Sequence, residues 1–183
     1  MRANSGRIRM SDFHALTVQD LRVRTGYWVL SEVSAADARS RIANVTLDRA
    51  SLTLENVDGI DWNGVTILDA PETALTLKTC RNISFEDLSL TRPNRKNAEN
   101  CRALWIDQCE TLTVSGLAVE LDSRRVMPLD LSGGALKIAG ALKAPPEFYT
   151  PDTLLRLPSE PASGHPQVDL EITAVLGEKS FEL

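Results

Sequence analysis

Histidine is nearly missing from this chain. Two are present, His14 and His165, far apart in the sequence and with no serine or cysteine arrangement around either. A nucleophilic triad is therefore not expected. Cysteine is also scarce: Cys80, Cys101 and Cys109 are an odd number at a spacing that fits no zinc pattern. No glycine-rich phosphate loop or metal-ligand cluster is present, so no cofactor and no metal are expected. Positive charge is not in excess, since 20 Lys and Arg against 25 Asp and Glu leave a net charge of −5. The phosphate-neutralising surplus of a nucleic-acid binder is lacking. No apolar run approaches the roughly 20 residues that span a bilayer, so no membrane partner is expected. The first residues, Met1 to Gly6, lack the apolar core of a signal peptide.

What the chain does have is a repeat. One spacing recurs three times: an apolar residue, one gap, another, five gaps, then apolar residues at every second or third position. The copies are Leu52/Leu54/Ile60/Trp62/Val65/Ile67, Leu75/Leu77/Ile83/Phe85/Leu88/Leu90 and Leu104/Ile106/Leu112/Val114/Leu117/Val119. Each holds three short strands of period 2, and none carries a helical stripe. Three strands in a repeat of this length describe one rung of a parallel β-helix. Partial copies flank them at Leu16/Val18/Leu21/Val23, Val45/Leu47/Ala50/Leu52 and Leu129/Leu131/Leu136/Ile138. The expectation is an all-β, right-handed parallel β-helix of about five to six rungs over residues 7–143, with residues 144–183 as a C-terminal cap. A hydrophobic content of 43% can fill so narrow a coil.

Strand side chains alternate, so the repeated residues should point inward and equivalent positions should stack at the strand spacing of about 4.8 Å. Trp62, Phe85 and Val114 should lie on one another. Val57, Cys80 and Cys109 share a slot, which reads Cys80 and Cys109 as buried free thiols behaving as small hydrophobes, with a disulfide or metal role as the alternative. Cys101, in a loop by this reading, should react first.

The insertions, residues 24–44, 68–73, 91–102 and 120–128, all fall between the third strand of one rung and the first of the next. They should share one edge, where binding usually sits. Arg24, Arg39, Arg41, Arg92, Arg95, Lys96, Arg102, Arg124 and Arg125 gather there, and arginine suits bidentate contact with carboxylates. Ordinary loop polarity is the alternative. On the adjoining strand Thr53/Glu55, Thr76/Lys78 and Trp105/Asp107 should face outward, with Glu55, Lys78 and Asp107 as a ladder of alternating sign. An outward tryptophan suits sugar stacking, unless the loop Asn94–Cys101 folds over it. Asp107 and Glu110, which share a rung turn, are a candidate carboxylate pair.

Beyond Lys143 the repeat stops at Ala144-Pro145-Pro146. Thr150-Pro151-Asp152 reads as the start of a short helical turn through Leu157, and Val168/Leu170/Ile172 as a last strand. Arg7-Ile8-Arg9-Met10 already alternates, so the chain reads as starting inside a rung. An open first rung would self-associate unless upstream chain covers it.

The segments Ala74-Leu75-Thr76-Leu77-Lys78-Thr79-Cys80-Arg81-Asn82-Ile83-Ser84-Phe85-Glu86-Asp87-Leu88 and Arg41-Ile42-Ala43-Asn44-Val45-Thr46-Leu47 carry a further signal. On them the chain resembles the pectin-lyase-like β-helix superfamily, in particular glycoside hydrolase family 28, the polygalacturonases, over about residues 7–142. The resemblance implies a carbohydrate-active protein outside the cytoplasm. It does not bring the family's chemistry. Where paired aspartates would stand, the chain has Arg49-Ala50, Glu72-Thr73, Cys101-Arg102 and Val126-Met127. A G-H-G histidine is missing, and Arg7-Ile8-Arg9 alone is similar to the substrate-binding R-x-K. The expectation is a fragment or catalytically incomplete relative of a pectin-type hydrolase. It would bind acidic polysaccharide through Trp105, Asp107, Arg102, Arg95, Lys96, Arg7 and Arg9. The alternative is a non-catalytic structural or oligomerisation module.

Overall fold

In the computed structural model the described residues are 2–3, 6–13, 15–34, 39–96, 98–121, 126–130, 134–143, 155–156, 170–176 and 179–182, with side chains placed between residues 7 and 121 and at Val126. Sixteen strands cover them, and no helix occurs among the described residues. The first six are β1 (Arg2–Ala3), β2 (Gly6–Ser11), β3 (Thr17–Gln19), β4 (Arg22–Val23), β5 (Gly26–Val33) and β6 (Ser40–Asp48). The repeat follows as β7 (Ala50–Leu68), β8 (Leu75–Lys78), β9 (Arg81–Thr91), β10 (Cys101–Asp107) and β11 (Cys109–Glu120). The rest are β12 (Val126–Asp130), β13 (Gly134–Lys143), β14 (Leu155–Arg156), β15 (Leu170–Leu176) and β16 (Lys179–Glu182).

The strands form two parallel ladders. The first runs β2–β5–β7–β8–β10–β12–β14 and the second β3/β4–β6–β7–β9–β11–β13–β15. Strand β7 belongs to both, its first half in one ladder and its second half in the other. Among the described residues only β15 and β16 pair antiparallel. This is a parallel β-solenoid, as the spacing predicts.

The register reproduces the expected stacks. Ile42, Trp62, Phe85 and Val114 pair in succession and are all buried. Trp62 and Phe85 lie face to face, centroids 5.4 Å apart at 15°. Such a pair adds about 0.5–1.5 kcal/mol beyond its area. The pairing of Asp58 with Arg81 and of Arg81 with Glu110 sets Val57, Cys80 and Cys109 one above another, and both cysteines are free and buried.

Corners form where the backbone turns left-handed. Asp12, Glu32, Asn56, Thr79 and Gln108 hold one column of positive φ after the first strand, and Asp20, Asn44, Gly64, Asp87 and Gly116 hold another between the second and third. Asn, Asp and Gly visit this region at least cost, which explains why they recur at the bends.

Three expectations need correction. About three turns are complete rather than five to six. Residues 24–44 are not an insertion, because they hold β5 and the start of β6, with Trp28, Leu30 and Val33 buried in the core. The passage from β5 to β6 is at a different corner from the other insertions, and residues 35–38 there lie outside the described residues. Near the C-terminus, Leu155 and Arg156 pair as a strand with Leu129 and Asp130 in place of a helical turn; residues 150–154 lie outside the described residues. The expected strand is present from Leu170 as β15, resting on β13, but it is not the last, because β16 pairs back onto it; Val168 and Asp169 lie outside the described residues.

Candidate ligand-binding face

The outer face of the first ladder carries the candidate residues in vertical columns. One column reads Arg9, Val29, Thr53, Thr76, Trp105, and the next reads Ser11, Ser31, Glu55, Lys78, Asp107. Leu52, Leu54, Leu75, Leu77, Leu104 and Ile106 between them point inward, yet Thr76, expected to face outward, is buried, as is Ser31, so these columns are not open along their whole height. Glu55, Lys78 and Asp107 stand in register as expected.

Trp105 is half-buried, and its ring is not bare. Lys78 Nζ lies over it at 4.6 Å from the centroid and the Arg102 guanidinium at 4.7 Å. Two cations within reach of one indole face its negative quadrupole, each worth about 0.5–1 kcal/mol at a partly exposed site. Lys78 reaches the ring diagonally, from a position paired with Asp107 rather than with Trp105. Arg102 is further fixed by its Nη1 donating to the Asn100 carbonyl at 3.0 Å and its backbone N–H donating to Thr73 Oγ1 at 3.3 Å.

Arg95 and Lys96 are exposed on the insertion after β9. That insertion is tied down, since the backbone N–H groups of Asn94, Arg95 and Lys96 donate to the carbonyls of Glu72, Ala70 and Pro71 at 3.1, 2.9 and 3.2 Å. Asn94 is itself buried and donates to the Ala98 carbonyl at 3.0 Å. The insertion thus packs on the segment before β8. Arg7 and Arg9 are exposed on β2, and Arg9 shares the Trp105 column four pairings away, roughly 19 Å at the usual strand spacing. Asp107 closes β10, its carbonyl accepting from Thr79 N–H at 2.9 Å. Glu110 lies beyond the corner in β11, paired with Arg81.

The edge of cations is smaller than expected. Arg39 and Arg41 belong to the second ladder's face, Arg92 is paired with Asp69 at 3.0 Å, and Arg124 and Arg125 lie outside the described residues. Cys101 is not in a loop: it opens β10 and is 4% exposed. Burial pushes its thiol up, with the Glu72 carboxylate adding to the effect, so the premise for its reacting first is gone.

Sequence reasoning missed a second polar cluster. Arg39 Nε donates to both Asp61 carboxylate oxygens at 3.0 and 2.9 Å, and its Nη2 donates to Asp61 Oδ1 at 2.6 Å and to the Asn82 carbonyl at 2.9 Å. Ser84 Oγ donates to Asp61 Oδ1 at 2.6 Å. Hydrogen bonding from Arg39 holds the Asp61 carboxyl below its ordinary value, with burial opposing. Asn44–Asp20, Asn56–Glu32, Asn63–Glu86 and Asn82–Asp58 side-chain bonds climb between rungs in the same way.

The fold and this face define a parallel β-solenoid with an aromatic–cation cluster on its first ladder. Comparison with protein-family models, with characterised proteins and with solved structures returned no match.

Proposed function

We propose that the outer face of the first ladder binds a carboxylated polysaccharide of the pectin type, without hydrolysing it. The observation that carries the reading is the meeting of Lys78 and Arg102 on Trp105. A uronic acid offers an apolar ring face and a carboxylate within one residue, and the cluster offers an indole and two cations. Because the cations already lie over the ring, a carboxylate adds charge-assisted hydrogen bonds to them without undoing the cation–π contact. The resemblance of residues 41–47 and 74–88 to polygalacturonase rungs supports the same substrate class. The missing aspartates support binding over hydrolysis, since general acid and water-activating base would both be absent.

Calorimetric titration with oligogalacturonides, against neutral oligosaccharides of equal length, tests this. Trp105→Ala and Arg102→Ala should each lose roughly 1–3 kcal/mol of binding, and added salt should weaken the wild type. Binding indifferent to both substitutions, or equal for neutral chains, overturns the reading.

The second reading, a structural module, is favoured by the inter-rung bonds of the second ladder's face, where outward polar groups satisfy one another. Solution mass separates the two: end-to-end oligomers in the absence of glycan support the module, a monomer the binder.

A further inference from the structure

Cys80 and Cys109 occupy one slot on successive rungs, at the corner between the first and second strands. Thr79 N–H donates to the Asp107 carbonyl at 2.9 Å and Glu110 N–H to the Cys80 carbonyl at 2.8 Å. These bonds bracket the pair and hold the two backbones at the parallel-strand spacing, about 4.8 Å. That lies inside the Cα window of a disulfide, roughly 4.4–6.8 Å.

The side chains share a direction. Each thiol donates to the carbonyl two residues before it, Cys80 to Lys78 at 3.2 Å and Cys109 to Asp107 at 3.3 Å. Cys80 N–H in turn donates to Cys109 Sγ at 3.3 Å. Packing does not demand sulfur here, because Val57 fills the same slot one rung earlier and is equally buried. Left-handed residues flank the corner, Thr79 and Gln108 on one side and Asn82 and Thr111 on the other.

We propose that Cys80 and Cys109 are a peroxide-closable thiol pair that staples two rungs together on oxidation. The Cys109 sulfur, as thiolate, attacks one peroxide oxygen; the O–O bond breaks, hydroxide leaves and a sulfenic acid forms. The Cys80 sulfur then displaces that hydroxyl, giving the S–S bond, and its proton leaves with the hydroxide as water. Two thiols and one hydrogen peroxide become one disulfide and two waters. Cys109 is the first to react because the Cys80 N–H supports its negative charge, whereas the hydrogen bond shared with Cys109 and burial hold the Cys80 thiol far above its ordinary range. Closure needs one thiol to rotate off its carbonyl during a local opening of the corner. The staple spans the longest insertion of the repeat, tying residues 29 positions apart.

The test treats the reduced wild type with hydrogen peroxide and follows it by intact mass, peptide mapping and urea denaturation. The mass should fall by two hydrogens, the map should join Cys80 to Cys109 with Cys101 still reduced, and the urea midpoint should rise and return on reduction. Cys80→Val and Cys109→Val, which copy the residue of the preceding rung, should fold and show neither the mass loss nor the shift. A link through Cys101, over-oxidation of Cys109 with Cys80 left free, or an unchanged midpoint in the linked protein overturns the proposal.

Discussion

At the bend between the second and third strands, Asp20, Asn44, Gly64, Asp87 and Gly116 all hold φ between 55° and 67°. Each sits on the next, so the column is a steric series as well as a conformational one. A Cβ at Gly64 would meet Asn44 Oδ1 at 3.4 Å and the Asn44 backbone N and Cα at 3.8 and 3.9 Å, all ordinary contacts. At Gly116 it would lie 2.8 Å from Asp87 Oδ1 and 3.3 Å from the Asp87 backbone. The carboxylate can swing away; the backbone is held by its own ladder. Gly64→Ala should therefore cost about 1 kcal/mol, the left-handed penalty alone. Gly116→Ala should cost more, about 2 kcal/mol, as crowding is added to strain. Urea denaturation of both variants checks the order; equal losses would mean that conformation outweighs contact here. Glycine, asparagine and aspartate take these bends at least cost. Thr79, Gln108 and Glu32 at left-handed positions were not legible in the sequence, because their own preferences point elsewhere and the stacking of neighbouring rungs overrides them.

Single elements were read well where the spacing was regular and badly where it was not. Between Leu54 and Ile60 five residues intervene, whereas between Leu30 and Ile42 eleven do. The longer interval hid β5, and with it Trp28, whose ring meets Trp62 edge-on at 5.6 Å across the coil. Arg39, assigned to the loop edge, instead crosses to Asp61 on the next rung. This ion pair gives a pH dependence with a definite sign. The Asp61 pKa is lowered in the folded chain, so its contribution is present above the ordinary carboxylate range and lost as pH falls through its lowered value. Both partners are well exposed, at 45% and 40%, so solvent screening keeps the contribution small. Comparing urea midpoints of wild type and Asp61→Asn at pH 7 and pH 3, the gap between them should be wider at pH 7. A gap that widens in acid would show that the carboxylate does not stabilise the fold.

At the scale of the molecule, the parallel pairings among the described residues join successive rungs, which makes the coil close to one-dimensional in its energetics. Residues 69–91 form one period: Leu68 pairs with Thr91, so joining Leu68 to Arg92 leaves the register intact. In that deletion Val114 would rest on Trp62 and Leu104 on Leu52, each ladder shorter by one strand. The shortened chain should keep a strand-type circular dichroism spectrum, with a smaller urea dependence in proportion to the buried surface lost. An unfolded product would show that stability is not a sum of neighbour contacts. The candidate face follows the same logic, since Arg9 and Trp105 share a column only because four intervening pairings are in register.

The sequence by itself determined the coil, its interior columns and the common slot of Cys80 and Cys109. Strand alternation is a local property of the backbone, and a repeated spacing leaves equivalent residues little choice but to stack. Only the tertiary structure decided where long side chains end: Lys78 and Arg102 on Trp105, Arg39 on Asp61, Cys101 under its neighbours. Those outcomes join residues on different rungs through contacts worth about 1 kcal/mol or less each. Spacing along the chain carries no record of interactions so small, between residues whose rotamers are fixed only once the rungs are in place.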